Sequence, residues 1–542
     1  MNGSFDARRH RLWVLPVLAA FLLSLGFVSA SPATAAAAAT PPPPLTNLAH
    51  LDFLGDTVIP PAQAGHTTYR LEQEPSLQVL WVYAEPDGSG GFTHVGGGTY
   101  DAVHNTYGQG AYDTDDLTRA AVVYVRHWQQ FGDDHSRDAA YGLLRTITYM
   151  QTLSNDARRG NFVLWMQPDG TLNPSADPKE LPDPSDSGSS FWLARAIWAL
   201  GEGYAAFRVA DPAFATFLRE RLNLALDAVD RQNLVHYGSY QLFDGARMPA
   251  WLINDGADAS SEAIYGLSAY VRAEPGDTRA RLDLEHLADG VAQMRLSADP
   301  STWPFGAILP YTGSRSMWHA WGDQMAGALA TAGSALGEQR YIATAVAEVA
   351  SFTPHLLVQG GADLAWLPAP IELAQIAYGV DATLQNLLRT SDASGLDGFR
   401  KLAGIEAAWY FGGNHAGKQM YFPATGVTFD GLEANGDVNR NSGAESTIMG
   451  LLSMLALDAR PDVAAAATSR NDWVGQLSWK LLEAEAGALR GAARVVTPAS
   501  AWTGESQWSG GSYVELLPGS RVTVTATLPE ACLLYTSPSP RD

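Results

Sequence analysis

Between Thr114 and Thr468, apolar residues recur at the spacing of one helix face, and the breaks between these runs alternate between very short and very long. The pattern predicts helices over Thr114–Gln130, Arg137–Leu153, Ser190–Phe207, Ala213–Asp230, Ser260–Arg272, Arg279–Leu296, Ser316–Leu336, Gln339–Ser351, Ile371–Leu388, Leu396–Tyr410, Ser442–Leu457 and Pro461–Thr468. Within each successive pair the connection is a few residues, as at Val209–Pro212 or Gly337–Glu338, which makes antiparallel hairpins. Between pairs it is long: Asn155–Ser189, Arg231–Ala259, Ser297–Arg315, Phe352–Pro370 and Phe411–Asn441. Hairpins closed into a ring put every long connection on one rim, where the odd-numbered helices begin. The expected fold class is therefore mainly α, an (α/α)6 toroid with its cleft at that rim. Helix N-termini converge there and offer N–H donors to substrate hydroxyls. An open solenoid would show a repeat period, and none is visible.

The period changes on either side of the toroid. Leu77–Tyr83 alternates as a strand and Glu85–Gly91 reads as a turn into a second strand. This predicts a small β decoration against the ring or over its mouth. After residue 475, Leu482–Gly487, Trp508–Leu516 and Arg521–Thr527 alternate like strands again. At the amino end, Arg8, Arg9 and Arg11 precede an apolar stretch, Leu12–Val28, with small-residue cleavage sites around Ala30 or Ala35. The expected layout is a signal peptide over 1–35, an Ala/Pro spacer over 36–44, the toroid over 45–475 and a β-module over 478–531. No segment after the signal looks long and apolar enough to cross a bilayer. The chain is thus expected outside the cell, without membrane attachment once the signal is cleaved, and as a monomer.

Composition narrows the chemistry. The formal net charge of −22 repels nucleic acid, and no Lys/Arg run follows the signal region. The single cysteine, Cys532, lies in the last eleven residues, so the folded part has no disulfide framework and no thiol chemistry. Histidines are scattered without ligand spacing, and no phosphate-loop or dinucleotide motif occurs. No cofactor is expected for catalysis.

Candidate chemistry gathers where predicted helices begin. Trp409–Leu455 opens with aromatics, runs through a Gly- and Asn-rich loop, and ends on a helix whose first turn carries Glu445. Aromatic faces suit sugar rings, amides and the guanidinium of Arg440 suit hydroxyls, and a carboxyl group suits proton transfer. The competing reading is a capping box, Ser442 to Glu445. Asn439 shares the loop and is read with Arg440 as substrate-binding, or as an Asx-turn residue. Asp115 and Asp116 open the first helix, and one of them is a candidate base; the alternative is helix-dipole stabilisation, with Asp113 or Thr114 as N-cap. Trp251 and Asp258 lead into the fifth helix, Asp258 as its N-cap, and Glu262 follows one turn later with no capping duty. Trp318, His319, Trp321 and Asp323 form a third group. There His319 and Asp323 are expected to share a helix face four residues apart. Asp258, Trp251, Trp318, His319 and Trp321 are expected to bind substrate, and Glu262 and Asp323 to be further catalytic candidates.

The segment VNRNSGAESTIMGLL (438–452) is similar to Asn-x-Gly-Ala-Glu-Ser-Thr segments of (α/α)6 carbohydrate-active proteins. The whole of 46–469 resembles a six-hairpin glycosidase-type enzyme. In family-nine endoglucanases of that kind, an aspartate near the first helix acts as base and a glutamate near the last inner helix as acid. The matching positions are Asp115 or Asp116, and Glu445. The chain carries no copy of that family's Asp-Ala-Gly-Asp motif, so the roles transfer by position alone. Residues 478–531 resemble the opening of a carbohydrate-binding module of the family-six or thirty-five kind, in which glutamates matching Glu483 and Glu485 hold a structural calcium. The last eleven residues, CLLYTSPSPRD, resemble read-through of a sequencing adapter, which implies that the natural chain continues past Ala531. The resemblance implies a secreted glycoside hydrolase acting on a polysaccharide or oligosaccharide. A polysaccharide lyase and a non-catalytic glycan-binding protein are the alternatives.

Overall fold

The computed structural model describes residues 43–469, except for 176–183, 244, 296–305, 316, 359–363, 367–368 and 373, together with 482–497 and 512–527. The signal, spacer and tail expectations, at 1–42 and 528–542, lie outside the described residues.

After a short helix α1 (Ala49–Leu54), the chain forms α2 (Thr114–Phe131), α3 (Asp134–Met150), α4 (Phe191–Ala210), α5 (Pro212–Gln232), α6 (Ala257–Ala273) and α7 (Thr278–Gln293). It continues with α8 (Met325–Leu336), α9 (Gln339–Val358), α10 (Ala377–Ser394), α11 (Gly398–Ala407), α12 (Ala444–Asp458) and α13 (Pro461–Ser469). The even-numbered helices contact one another in cyclic order, α2–α4–α6–α8–α10–α12, and α12 returns to α2. Each odd-numbered partner packs outside its own even-numbered helix. This is an (α/α)6 toroid, closed as the loop lengths require.

Local chemistry makes the short turns. Asp211 ends α4 and also caps α5, its carboxylate accepting from the Phe214 N–H at 3.0 Å, with Pro212 pre-set for the first helical turn. Between α8 and α9, Gly337 ends the helix at φ 78°, a conformation that suits glycine. Inner helices are buried almost all round: of α6, residues 257–268 are all buried, including polar Ser260, Ser261 and Ser268. α9 has the length and apolarity of a membrane span, yet it packs on α7, α8, α10 and α11 in the ring.

Two inner helices meet backbone to backbone at the α4–α6 crossing. A Cβ on Gly201 would sit 2.2 Å from the Gly266 carbonyl oxygen, and one on Gly266 would sit 2.2 Å from that of Ile197. Backbone cannot yield there as a side chain can. Gly201→Ala is expected to cost about 1–3 kcal/mol through overpacking. Thermal denaturation should show a lower Tm, and an unchanged Tm would mean that the helices separate freely.

Two helix predictions fail at their starts. Residues 317–319 form a strand paired with Leu364–Trp366, and α8 begins only at Met325 after a turn at Gly322 (φ 70°). Residues 369–372 and 375–376 are likewise strands, so α10 begins at Ala377. The expected β decoration is present: Gly55–Val58 pairs with Leu77–Leu80, and Tyr83–Pro86 pairs with Phe92–Val95. It is stitched to the start of α12, where the Ser442 N–H donates to the Ala84 carbonyl and the Ala444 N–H to that of Val82, both at 3.0 Å. In the C-terminal part, Ala488–Arg490 pairs with Arg521–Thr523, and Arg494–Val496 with Tyr513–Glu515.

Candidate active site

The long connections precede α4, α6, α8, α10 and α12, so inner-helix N-termini share one rim. At α2, Asp113 is the N-cap, accepting the Asp116 N–H at 2.7 Å. That leaves the side chains of Asp115 and Asp116 for other partners. At α12 the capping-box reading fails: Gly443 is the N-cap and makes no side-chain cap bond. Glu445 reaches Arg119 instead.

Two arginines tie the rim together. Arg119 of α2 is 2 % exposed and donates to Asp116 Oδ1 at 2.6 Å and to Glu445 Oε2 at 3.2 Å. It thereby joins the first and last inner helices across the closure of the ring. Arg195 of α4 pairs with Asp115 Oδ2 and Glu262 Oε2, each at 2.7 Å, and donates to the Tyr378 hydroxyl at 3.1 Å. Tyr378, at the start of α10, donates to Glu262 Oε1 at 2.7 Å, and its ring lies under the Arg119 guanidinium. Sequence reasoning missed Arg119, Arg195 and Tyr378.

Four of the five predicted catalytic carboxylates meet in this network in different states of access. Asp116 is buried and gripped by Arg119. Burial raises its pKa, with Arg119 pulling the other way and Glu445 adding to the rise. Glu262 is fully buried beneath Arg195 and Tyr378, and burial raises it against the pull of both arginines. Expected as a further catalytic candidate, it exposes no surface in this structure and pairs with Arg195 at 2.7 Å. Asp115 is partly exposed, with Oδ2 on Arg195 and Oδ1 buried with no hydrogen-bond partner among the described residues. The Glu445 side chain is 48 % exposed. Burial opposes charge on Arg119 and Arg195 repels it, yet Asp116 and Glu445 hold its pKa above the ordinary value.

Glu445 lines a cavity of about 410 Å³ together with Val82–Glu85 of the β decoration, Tyr378, Asp430, Asn439, Asn441 and Ser446. Asp430, also missed from the sequence, accepts from the Ser446 hydroxyl at 2.6 Å. Burial raises its pKa, the Ser446 bond offsets part of this, and Glu445 adds to it. Tyr83, with its hydroxyl pushed up to about 12 by burial, remains a neutral donor on the wall. Asn439 lines the cavity and its Oδ1 accepts the Asn441 N–H at 3.1 Å, the bond of an Asx turn; Arg440 is exposed and outside the lining.

Trp251 and Asp258, and the third predicted group, are arranged differently. Trp251 and Trp318 are buried and offer no face to a sugar: the Trp251 N–H donates to the His286 carbonyl at 2.9 Å, and Trp318 packs on Phe352. Asp258 is not an N-cap, since α6 is capped by Gly256; it accepts the Ala259 N–H and faces His319 Nε2 at 3.4 Å. With 317–319 extended, His319 and Asp323 share no helix face. His319 stacks on half-buried Trp321 at 3.7 Å.

Asp323 and Glu348 are buried acids that repel each other. Glu348 accepts the Ile308 N–H at 3.0 Å, and its Oε2 has no partner. Burial raises both, so each is protonated in the fold above the pKa it would have unfolded. Such a group stabilises fully below its unfolded pKa of about 4.3 and loses that contribution as pH rises through the folded value. The Tm is expected to fall with rising pH above that point, and Glu348→Gln should flatten the slope. Equal slopes across a pH series would contradict this.

Calcium takes about six to eight oxygen ligands. Glu483 precedes and Glu485 lies within a single turn, Ala484–Ala486, and no cluster of three or more metal-binding side chains occurs among the described residues. The two glutamates do not by themselves fit an ion.

No family model and no curated protein matches this chain. Solved structures do. A sugar epimerase from a ruminal bacterium is 14% identical with a TM-score of 0.49, covering 69% of this chain and 94% of its own. An endoglucanase from the termite Nasutitermes takasagoensis is 11% identical with a TM-score of 0.43, covering 76% and 96%. An inactive variant of an α-1,6-mannanase from Salegentibacter sp. HEL1_6, in complex with mannotriose, is 12% identical with a TM-score of 0.40, covering 66% and 95%.

Proposed function

We propose that this chain is a secreted glycoside hydrolase whose reaction is carried by Glu445 and Asp115 at the inner-helix rim. The observation that carries this reading is the pair of arginine clamps. Arg119 aims half-exposed Glu445 along a cavity wall, while Arg195 holds Asp115 Oδ2 and the other oxygen, Oδ1, is buried with no hydrogen-bond partner among the described residues. Glycosidic cleavage needs a carboxylic acid to protonate the leaving oxygen and a second carboxylate to activate water or attack the sugar. Glu445 serves as acid and Asp115 as base or nucleophile. Asp116, closed in by Arg119, positions the guanidinium and meets no substrate. Asn439, Asn441, Asp430 and Tyr83 supply hydrogen bonds to hydroxyls. The substrate is a neutral polysaccharide or oligosaccharide.

The charge balance favours hydrolysis over a lyase reaction. A lyase must neutralise the uronate beside the proton it removes, which calls for free cationic side chains. Both site arginines are already spent on carboxylates, Arg119 on Asp116 and Glu445, Arg195 on Asp115 and Glu262. Incubation with uronate-containing glycans should give no rise in ultraviolet absorbance from unsaturated products; a rise without new hydrolytic ends would favour the lyase. The anomer released, followed by proton NMR, reports the carboxyl separation: inversion for about 6.5–9.5 Å, retention for about 5–5.5 Å.

A further inference from the structure

The inner helices enclose a second cavity, of about 460 Å³, at the opposite mouth of the ring. It is built from their C-terminal halves, and Arg126 is about 15 Å along α2 from Asp116 by helix rise. Exposed Gln129 and Gln130 stand among its lining residues, so it opens to solvent. Its charged lining is Arg126, Arg272, Arg389, Arg460, Glu202 and Asp392. In a chain of net charge −22, a cavity with four arginines and two carboxylates runs against the overall field.

Two of these cations are already satisfied. Arg126 grips Glu202 through two bonds, at 2.6 and 3.0 Å, and Glu202 also accepts the Trp198 N–H at 2.6 Å. Arg460 pairs with Asp392 at 2.5 Å. Arg272 and Arg389 form no ion pair among the described residues. Arg272 donates to the Thr331 carbonyl at 3.0 Å. Arg389 lies over the Tyr265 ring at 4.3 Å, and its Nε is buried without a hydrogen-bond partner. The carboxylate that attracts both is Glu202, already committed to Arg126. Asp381, about two turns nearer the start of α10, has its Oδ1 on Gln385 and Ser453; its Oδ2 is buried without a hydrogen-bond partner, and it attracts Arg389 without reaching it as an ion pair. Burial lowers the pKa of both arginines, the direction expected of cations without a counter-ion. A buried guanidinium lacking a partner is costly, and an oxyanion accepting from its fork removes that cost.

We propose that this far mouth is a binding site for a small dianionic oxyanion, a phosphate or sulfate group, held between Arg272 and Arg389. The group arrives either as the free ion or as a phosphate monoester on a sugar, and the site lies apart from the carboxylates of the opposite rim.

Titrating inorganic phosphate, inorganic sulfate and glucose 6-phosphate into the full chain at constant ionic strength, with calorimetry and Tm as readouts, tests the site. Saturable binding with a raised Tm is expected in the wild type, weakened at least about tenfold in Arg389→Met. Arg389→Met without ligand should be no less stable than the wild type, because it removes an unpaired buried charge. Glycan turnover should be unchanged, which separates this site from the proposed active site. Tighter binding of the sugar ester than of both free ions identifies an ester as the ligand; equal binding identifies the free ion. If Arg389→Met does not fold, Arg272→Met serves with the same expectation. Absence of saturable binding, or equal binding by wild type and variant, overturns the proposal.

Discussion

Glu445→Gln should lower turnover of the preferred glycan by about 10²–10⁴-fold, the range for loss of a general acid. The fold should survive the change. Glu445 is the most exposed of the clustered carboxylates, its bond to Arg119 is long at 3.2 Å, and it caps no helix. Its loss therefore removes a proton donor and little packing. Asp115→Asn should give a drop of similar size, because the amide keeps the contact with Arg195 and abolishes the base. Asp116→Asn should act differently. It frees Arg119 from a 2.6 Å ion pair and lets Glu445 shift, so KM and kcat are expected to change together and by less. Steady-state kinetics on the three variants, with Tm measured alongside, checks the division of labour. A Glu445→Gln enzyme with near-normal kcat would remove Glu445 from the chemistry.

Arg195→Met should have the largest effect on stability, about 3–5 kcal/mol. The reason is what it leaves behind. Glu262 is fully buried, accepts from Arg195 and Tyr378, and would lose the cationic partner it has at bonding distance among the described residues. Asp115 would lose its clamp as well. Removing one member of a buried pair costs more than removing the pair, because the remaining charge is uncompensated. Arg195→Met combined with Glu262→Gln should therefore recover part of the loss. Denaturant unfolding of the single and double variants checks this, and a single variant as stable as the double would show that Glu262 is not held by charge.

The ring was legible because its two signals are local. A helix face repeats within a few residues, and a hairpin turn is short whatever its surroundings. The starts of α8 and α10 were not legible, since residues 317–319 and 369–372 owe their extended form to pairing with strands remote in sequence or across a turn. An apolar run as short as Met317–Trp318 fits a helix and a strand equally well. The carboxylates were found because acids at helix starts are conspicuous. Which of them face solvent was not, and Glu262 proved to be fully buried. The arginines did leave a trace. Arg119 follows Asp115 by four residues and Asp116 by three, and Arg195 interrupts an otherwise apolar run, Phe191–Leu200. A cation in a helix buried all round needs a partner, and acids one helix over supply it. Tryptophan carried less information. Trp251 and Trp318 flank polar loops just as sugar platforms do, but only the folded chain shows their faces covered.

The central claim is that carboxylates gathered at the inner-helix rim cleave glycosidic bonds. Reducing-end release from a panel of neutral polysaccharides, by the wild type and by Glu445→Gln at equal concentration, tests it most directly. The account predicts release by the wild type on at least one glycan and a loss of about 10²-fold or more in the variant. No release on any glycan, or equal release by both proteins, would contradict it.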